Sequence, residues 1–121
     1  MKIFRQLLKG REQRKMIQNL NPYEVKEILD SGEKVRLVDV REKWENDLAR
    51  IEGCELFPLS KFTSEYAKLE KDEKLIIYCH HGTRSMNVCN YLVKQGYTNV
   101  INLRGGIALW GMTVDLKMKQ Y

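Results

Sequence analysis

Apolar and polar positions in this chain fall into blocks of two periods that alternate along it. Behind Asn21-Pro22-Tyr23-Glu24, the apolar residues Val25, Ile28 and Leu29 recur at helical spacing until Ser31-Gly32. The capping residue, a proline at the first helical position and an acid at the third mark this as a helix start. Val35-Arg36-Leu37-Val38-Asp39-Val40 is β-branched and largely apolar, the pattern of a buried strand. Glu42 to Leu48 allows a turn or two of helix, and Cys54-Glu55-Leu56-Phe57 before Pro58 fits a short strand. A helix is expected from Ser60 through Leu69, a strand over Leu75-Ile76-Ile77-Tyr78, and a helix from Ser85 to Gln95 with Gly96 at its C-cap. A strand over residues 99–103 and an apolar turn, Ile107 to Trp110, complete the pattern.

Strands separated by helices imply parallel pairing with helices on both faces, and place functional loops at the carboxyl ends of the strands. The expected fold is therefore a three-layer α/β domain around a mostly parallel sheet of about five strands. The length of 121 residues suits one domain, here residues 17–121, preceded by an arm over 1–16. Neither an internal repeat nor a low-complexity segment interrupts it.

Charge separates the arm from the domain. The net charge is +5, and residues 1–20 carry all of it: Lys2, Arg5, Lys9, Arg11, Arg14 and Lys15 against Glu12. Ile3, Phe4, Leu7 and Leu8 recur among these cations at helical spacing. The arm is read as a solvated helix folded back on the domain, with contact to an acidic partner as the alternative. No nucleic acid is expected. Three cysteines, an odd count without C-x-x-C spacing, argue against a disulfide framework and for a reducing compartment. No apolar stretch reaches bilayer-spanning length, and the basic start lacks the apolar centre of a signal peptide, so the expected location is the cytoplasm.

The candidate chemistry lies in Cys79-His80-His81-Gly82-Thr83-Arg84-Ser85, between the strand ending at Tyr78 and the helix that follows. A loop entering a helix presents free N–H groups and the positive end of the helix dipole. A cysteine there should ionise easily, and Arg84 adds a fixed positive charge to the same loop. Gly82 permits the tight turn, and Ser85 offers a hydroxyl to the loop or the helix end. The N–H groups of residues 80–85 would then converge as an anion cradle. His80 and His81 are read as rim residues that shape access, because adjacent histidines in a tight loop cannot easily turn to one ion. Cys54 and Cys89 are read as small buried hydrophobes, with Cys89 the better placed of the two to act as a second thiol. Asp39 and Arg41 end a strand beside the same face; Arg41 either pairs within the domain or assists anion binding. Trp110 is expected to pack under the last turn.

Three segments together resemble the single-domain rhodanese family. They are Leu37-Val38-Asp39-Val40-Arg41-Glu42, the loop Cys79 to Ser85, and Asn99-Val100-Ile101-Asn102-Leu103-Arg104-Gly105-Gly106-Ile107-Ala108-Leu109-Trp110. The tail Met112 to Tyr121, with Val114-Asp115 and its tyrosine, is similar to the ends of rhodanese modules linked to sulfur-carrier activation. The resemblance implies a rhodanese-like fold and a sulfurtransferase without metal or organic cofactor. Cys79 would take a sulfane sulfur from thiosulfate or a protein persulfide, hold it as a persulfide, and pass it to cyanide, a thiol or a protein acceptor. Two other readings follow from the same resemblance. One is a binding or sulfur-relay module without free-standing turnover, although inactive relatives lose the loop cysteine that is kept here. The other is a phosphatase or arsenate reductase, but relatives of that kind carry one more residue between cysteine and arginine than His80, His81, Gly82 and Thr83. Where relatives read Gly-His-Ile-Pro-Gly-Ala, this chain has Ala49-Arg50-Ile51-Glu52-Gly53-Cys54.

Overall fold

The computed structural model describes residues 17–121; the arm expected over 1–16 lies outside the described residues. Five strands, β1 (Ile17–Leu20), β2 (Arg36–Asp39), β3 (Cys54–Leu56), β4 (Leu75–Tyr78) and β5 (Val100–Leu103), form one sheet in the order β1-β5-β4-β2-β3. Every pairing is parallel. The helices are α1 (Pro22–Asp30), α2 (Lys43–Leu48), α3 (Phe62–Glu65), α4 (Thr83–Lys94) and α5 (Gly106–Thr113).

The period-2 alternation of the strands sorts side chains into two cores, one on each side of the sheet. On β4, Leu75 and Ile77 face one way and pack, with Cys79 just beyond, against Phe62 of α3 and Val88, Cys89 and Leu92 of α4. Ile76 and Tyr78 face the other way, into a core with Val25 of α1 and Ile107 and Trp110 of α5. All four β4 residues are buried, as expected for a central strand covered on both faces. Among the described residues no helix is long and apolar enough to cross a membrane.

The local signals at α1 operate as its sequence predicts. The Asn21 side chain accepts from the Glu24 N–H at 2.9 Å, and the Glu24 carboxylate accepts from the Asn21 N–H at 3.0 Å, a reciprocal capping box with Pro22 in the first turn. Two elements differ from expectation. The helix expected from Ser60 to Leu69 breaks into a 3₁₀ turn at Leu59–Lys61, the single α-turn of α3, and a second 3₁₀ turn at Tyr66–Lys68. A long-range contact accompanies the break, since the Tyr97 hydroxyl lies 3.0 Å from the Tyr66 carbonyl and 2.6 Å from that of Leu69. Strand β1 was not foreseen. Among the described residues its four positions pair only with β5, and two of them are polar and exposed, so no alternating stripe marks it. The last apolar turn, expected over Ile107 to Trp110, lengthens to a helix ending at Thr113, and the other boundaries move by a residue or two.

Candidate active site

Cys79 is the first residue beyond β4, and α4 begins at Thr83. Gly82, at φ +103°, is the N-cap of α4 and turns the chain from strand into helix within four residues. The turn brings the first helical N–H groups back over the sulfur. Cys79 Sγ accepts from the Gly82 N–H at 3.1 Å and from the Ser85 N–H at 3.3 Å, and the Ser85 hydroxyl lies 3.3 Å away. A helix leaves its first N–H groups without partners, and here a thiol sulfur takes one of them. Cys79 is 1 % exposed and Ser85 fully buried, so these contacts are made away from water. The remaining loop N–H groups, of His80, His81, Thr83 and Arg84, have no acceptor among the described residues.

The outer side of the loop is tied to the segment after β5. The Ile107 N–H donates to the Cys79 carbonyl at 2.9 Å, and the Ala108 N–H to the His80 carbonyl at 3.0 Å. The Asn102 amide reaches the Gly82 carbonyl at 3.4 Å and the Asn19 side chain at 3.0 Å, while its buried Oδ1 has no partner among the described residues. Anchoring these carbonyls leaves the N–H edge of the loop to serve the sulfur. Gly106 makes the approach feasible: at φ +62° it lies so close that a Cβ would fall 2.6 Å from the Cys79 carbonyl oxygen.

Arg84, expected to add a fixed positive charge to the loop, is paired with a carboxylate. Its Nη1 and Nη2 grip the Glu45 carboxylate end-on at 2.8 and 2.9 Å. Hydrogen bonds from Arg84, opposed by burial and helped by the Glu42 N–H and the Tyr121 hydroxyl, hold the Glu45 carboxyl down at about 2. The pair is neutral as a unit, and Arg84 retains its Nε–H and one N–H on each Nη for other partners. Sequence reasoning missed Glu45. It sits in a short polar helix, and only the fold brings α2 over the loop.

Asp39 and Arg41 are wholly buried and paired with each other, Nη2 to Oδ2 at 2.8 Å and Nε to Oδ1 at 3.0 Å. Further Arg41 bonds reach the carbonyls of Ala49 and Glu45 and the Tyr121 hydroxyl. All five guanidinium N–H are thus satisfied inside the domain, leaving none for an anion. His80 lies between His81 and Tyr121, with ring centroids 4.0 Å from each and its plane within 7° of the tyrosine. Burial, then the charge of His81, pushes His80 below the ordinary histidine value. Cys89 lies on the buried face of α4 and packs into the core, where burial raises its thiol pKa. Cys54 is half-buried, 3.5 Å from the Asn46 amide. Ile51, retained from the family pattern, is buried, and its N–H meets the Tyr78 hydroxyl at 3.3 Å. No cluster of three metal-ligating side chains occurs among the described residues.

A parallel α/β sheet that delivers a buried cysteine to two backbone N–H groups, at a strand's carboxyl end, defines a class of thiol-centred domains. The chain belongs to the rhodanese-like domain family, whose model matches residues 21–113. It is 35 % identical over 95 residues to a protein of Allochromatium vinosum named sulfurtransferase, covering 78 % of this chain and 89 % of that one. It is 36 % identical over 104 residues to a protein of Mycobacterium tuberculosis named "Probable adenylyltransferase/sulfurtransferase MoeZ"; this covers 84 % of the chain but only 26 % of MoeZ. The crystal structure of a rhodanese-like domain protein from Staphylococcus aureus superposes with a TM-score of 0.74 at 28 % identity, covering 86 % of this chain and 98 % of that one.

Proposed function

We propose that this rhodanese-like protein is a sulfurtransferase in which Cys79 carries the sulfur. One observation supports the reading above the rest: a buried sulfur accepts two backbone N–H, and four more N–H in the same loop have no acceptor among the described residues. Backbone N–H groups stabilise an anion without offering it an acidic proton. In the first step the Cys79 thiolate attacks the outer sulfur of thiosulfate. A Cys79 S–S bond forms, the sulfur–sulfur bond of the donor breaks, and sulfite leaves with its electron pair. The terminal persulfide sulfur, now the anion, occupies the loop. In the second step cyanide attacks that sulfur and leaves as thiocyanate, or a thiolate attacks it and leaves as a new persulfide, returning the Cys79 thiolate. A protein persulfide replaces thiosulfate by the same exchange. Residues His80 to Ser85 act as the cradle, and neither step calls for a metal or organic cofactor. The free thiols suit a reducing compartment, and we place the protein in the cytoplasm.

The test is intact mass after incubation of the reduced protein with thiosulfate. A gain of about one sulfur mass on the Cys79 peptide is expected, removed by cyanide with release of thiocyanate. Cys79→Ser should fold normally and neither gain the mass nor release thiocyanate. Transfer that survives in Cys79→Ser overturns the assignment.

A further inference from the structure

Tyr121 reaches the site from far along the chain and joins groups that otherwise stand apart. Its hydroxyl accepts from Arg41 Nη1 at 2.7 Å and donates to Glu45 Oε2 at 2.9 Å. Its ring stacks on His80, the residue next to Cys79, and meets Trp44 edge-on at 6.1 Å. Both hydroxyl bonds involve charged partners and are therefore of the stronger kind.

The result is a continuous row: Asp39, Arg41, Tyr121, Glu45, Arg84. Its first two members are wholly buried, whereas the Arg84 side chain is 36 % exposed. Tyr121 links the fixed end to the exposed end. Without its hydroxyl, Glu45 Oε2 retains only Arg84 among the described residues, and Arg41 Nη1 loses its shortest bond. Both Arg84 Nη atoms are engaged by Glu45, so where the carboxylate sits decides where the free guanidinium N–H point. The same tyrosine fixes the plane of His80.

We infer that Tyr121 is a positioning residue for the anionic sulfur donor, acting through Glu45 on Arg84 and through ring stacking on His80. The inference rests on the sulfurtransferase reading, since it assigns the donor as the anion so positioned. Tyr121 itself forms no bond to the donor. It restricts the mouth of the loop to one arrangement, and the donor then meets oriented N–H groups without first having to order them.

The experiment measures binding apart from turnover. Thiosulfate is titrated into Cys79→Ser and into the Cys79→Ser/Tyr121→Phe double variant, following loop amide shifts by NMR. Tyr121→Phe keeps the ring and removes only the hydroxyl. The expected result is a Kd about three- to tenfold weaker in the double variant, less than a whole charge-assisted bond because the hydroxyl acts on the donor only through Glu45 and Arg84. Melting temperatures of the same proteins control for stability: a merely structural tyrosine lowers the melting point and leaves Kd unchanged well below it. With Cys79 present, Tyr121→Phe should raise KM for thiosulfate by the same factor and leave kcat for cyanide discharge unchanged. An equal Kd in the two variants overturns the inference, as does an absence of thiosulfate binding to Cys79→Ser. Wild-type protein that binds thiosulfate without forming a persulfide, while Tyr121→Phe weakens the binding, refutes transfer from thiosulfate and upholds the positioning role.

Discussion

Replacing Gly106 with Ala isolates the anchoring of the cradle from the chemistry inside it. The new Cβ would stand 2.6 Å from the Cys79 carbonyl oxygen and 2.5 Å from the His80 carbonyl carbon, where ordinary contact begins near 3.4 Å. Both obstacles are backbone, so relief requires the loop and α5 to separate by close to an ångström. That opening stretches the Ile107 and Ala108 bonds, now 2.9 and 3.0 Å, beyond useful length. Two backbone hydrogen bonds lost at about 1 kcal/mol each, plus about 1–2 kcal/mol for a Cβ at positive φ, give about 3–4 kcal/mol. Alanine also restricts the unfolded chain, which returns about 0.4–1 kcal/mol. Gly32→Ala supplies the control, because Gly32 has φ +78° and no described residue comes within 4 Å of the Cβ position. It carries the same left-handed strain and the same unfolded-state gain without the clash. Gly106→Ala should therefore be less stable than Gly32→Ala by about 2 kcal/mol, or about 8 °C in melting temperature. Its rate of persulfide formation from thiosulfate should fall about 10- to 100-fold, because a displacement of about 1 Å is enough to misalign a reacting group. Urea melts and timed intact-mass measurements on both variants provide the assay. If the two variants match in stability within about 0.5 kcal/mol and in rate within about twofold, the close approach does not shape the cradle.

Two further outcomes follow from the charged row beside the loop. Glu45 is held at about 2 in the folded protein against an ordinary 4.5. A depressed carboxyl contributes stability above pH 4.5 and loses it as pH falls toward 2, by at most about 3 kcal/mol and by less because half-exposed Arg84 is screened. Urea melts at pH 6 and pH 3 should therefore show a smaller acid loss for Glu45→Gln than for wild type, and equal losses would contradict the pairing. Arg41→Lys keeps the charge but offers three donors where five are used, so it should cost about 2–4 kcal/mol in the buried row. A cost below about 1 kcal/mol in urea melts would show that the fork geometry is not needed there.

Legibility in the sequence followed the range of the interaction. The capping box of α1 spans four residues and was readable in full, because donor, acceptor and proline all stand in one short segment. The thiol loop was readable for the same reason: the turn at Gly82, the start of α4 and the sulfur acceptor lie within seven residues. Glu45 was not readable, since its partner Arg84 stands 39 residues away and its own segment looks like any polar helix. Strand β1 was hidden likewise, for it is a strand only because β5 lies beside it.

The sequence by itself determined the alternating order of strands and helices, the parallel sheet, and the position of Cys79 at a strand-to-helix junction. Those features rest on periodicity and on local backbone chemistry, which short segments carry within themselves. Tertiary structure alone decided that Arg84 would be held by Glu45, that Arg41 would spend its donors inside the domain, and that Tyr121 would lie against His80. Charge partners are chosen by distance in space, and the distances are set by how α2, the loop and the tail converge at the carboxyl end of the sheet.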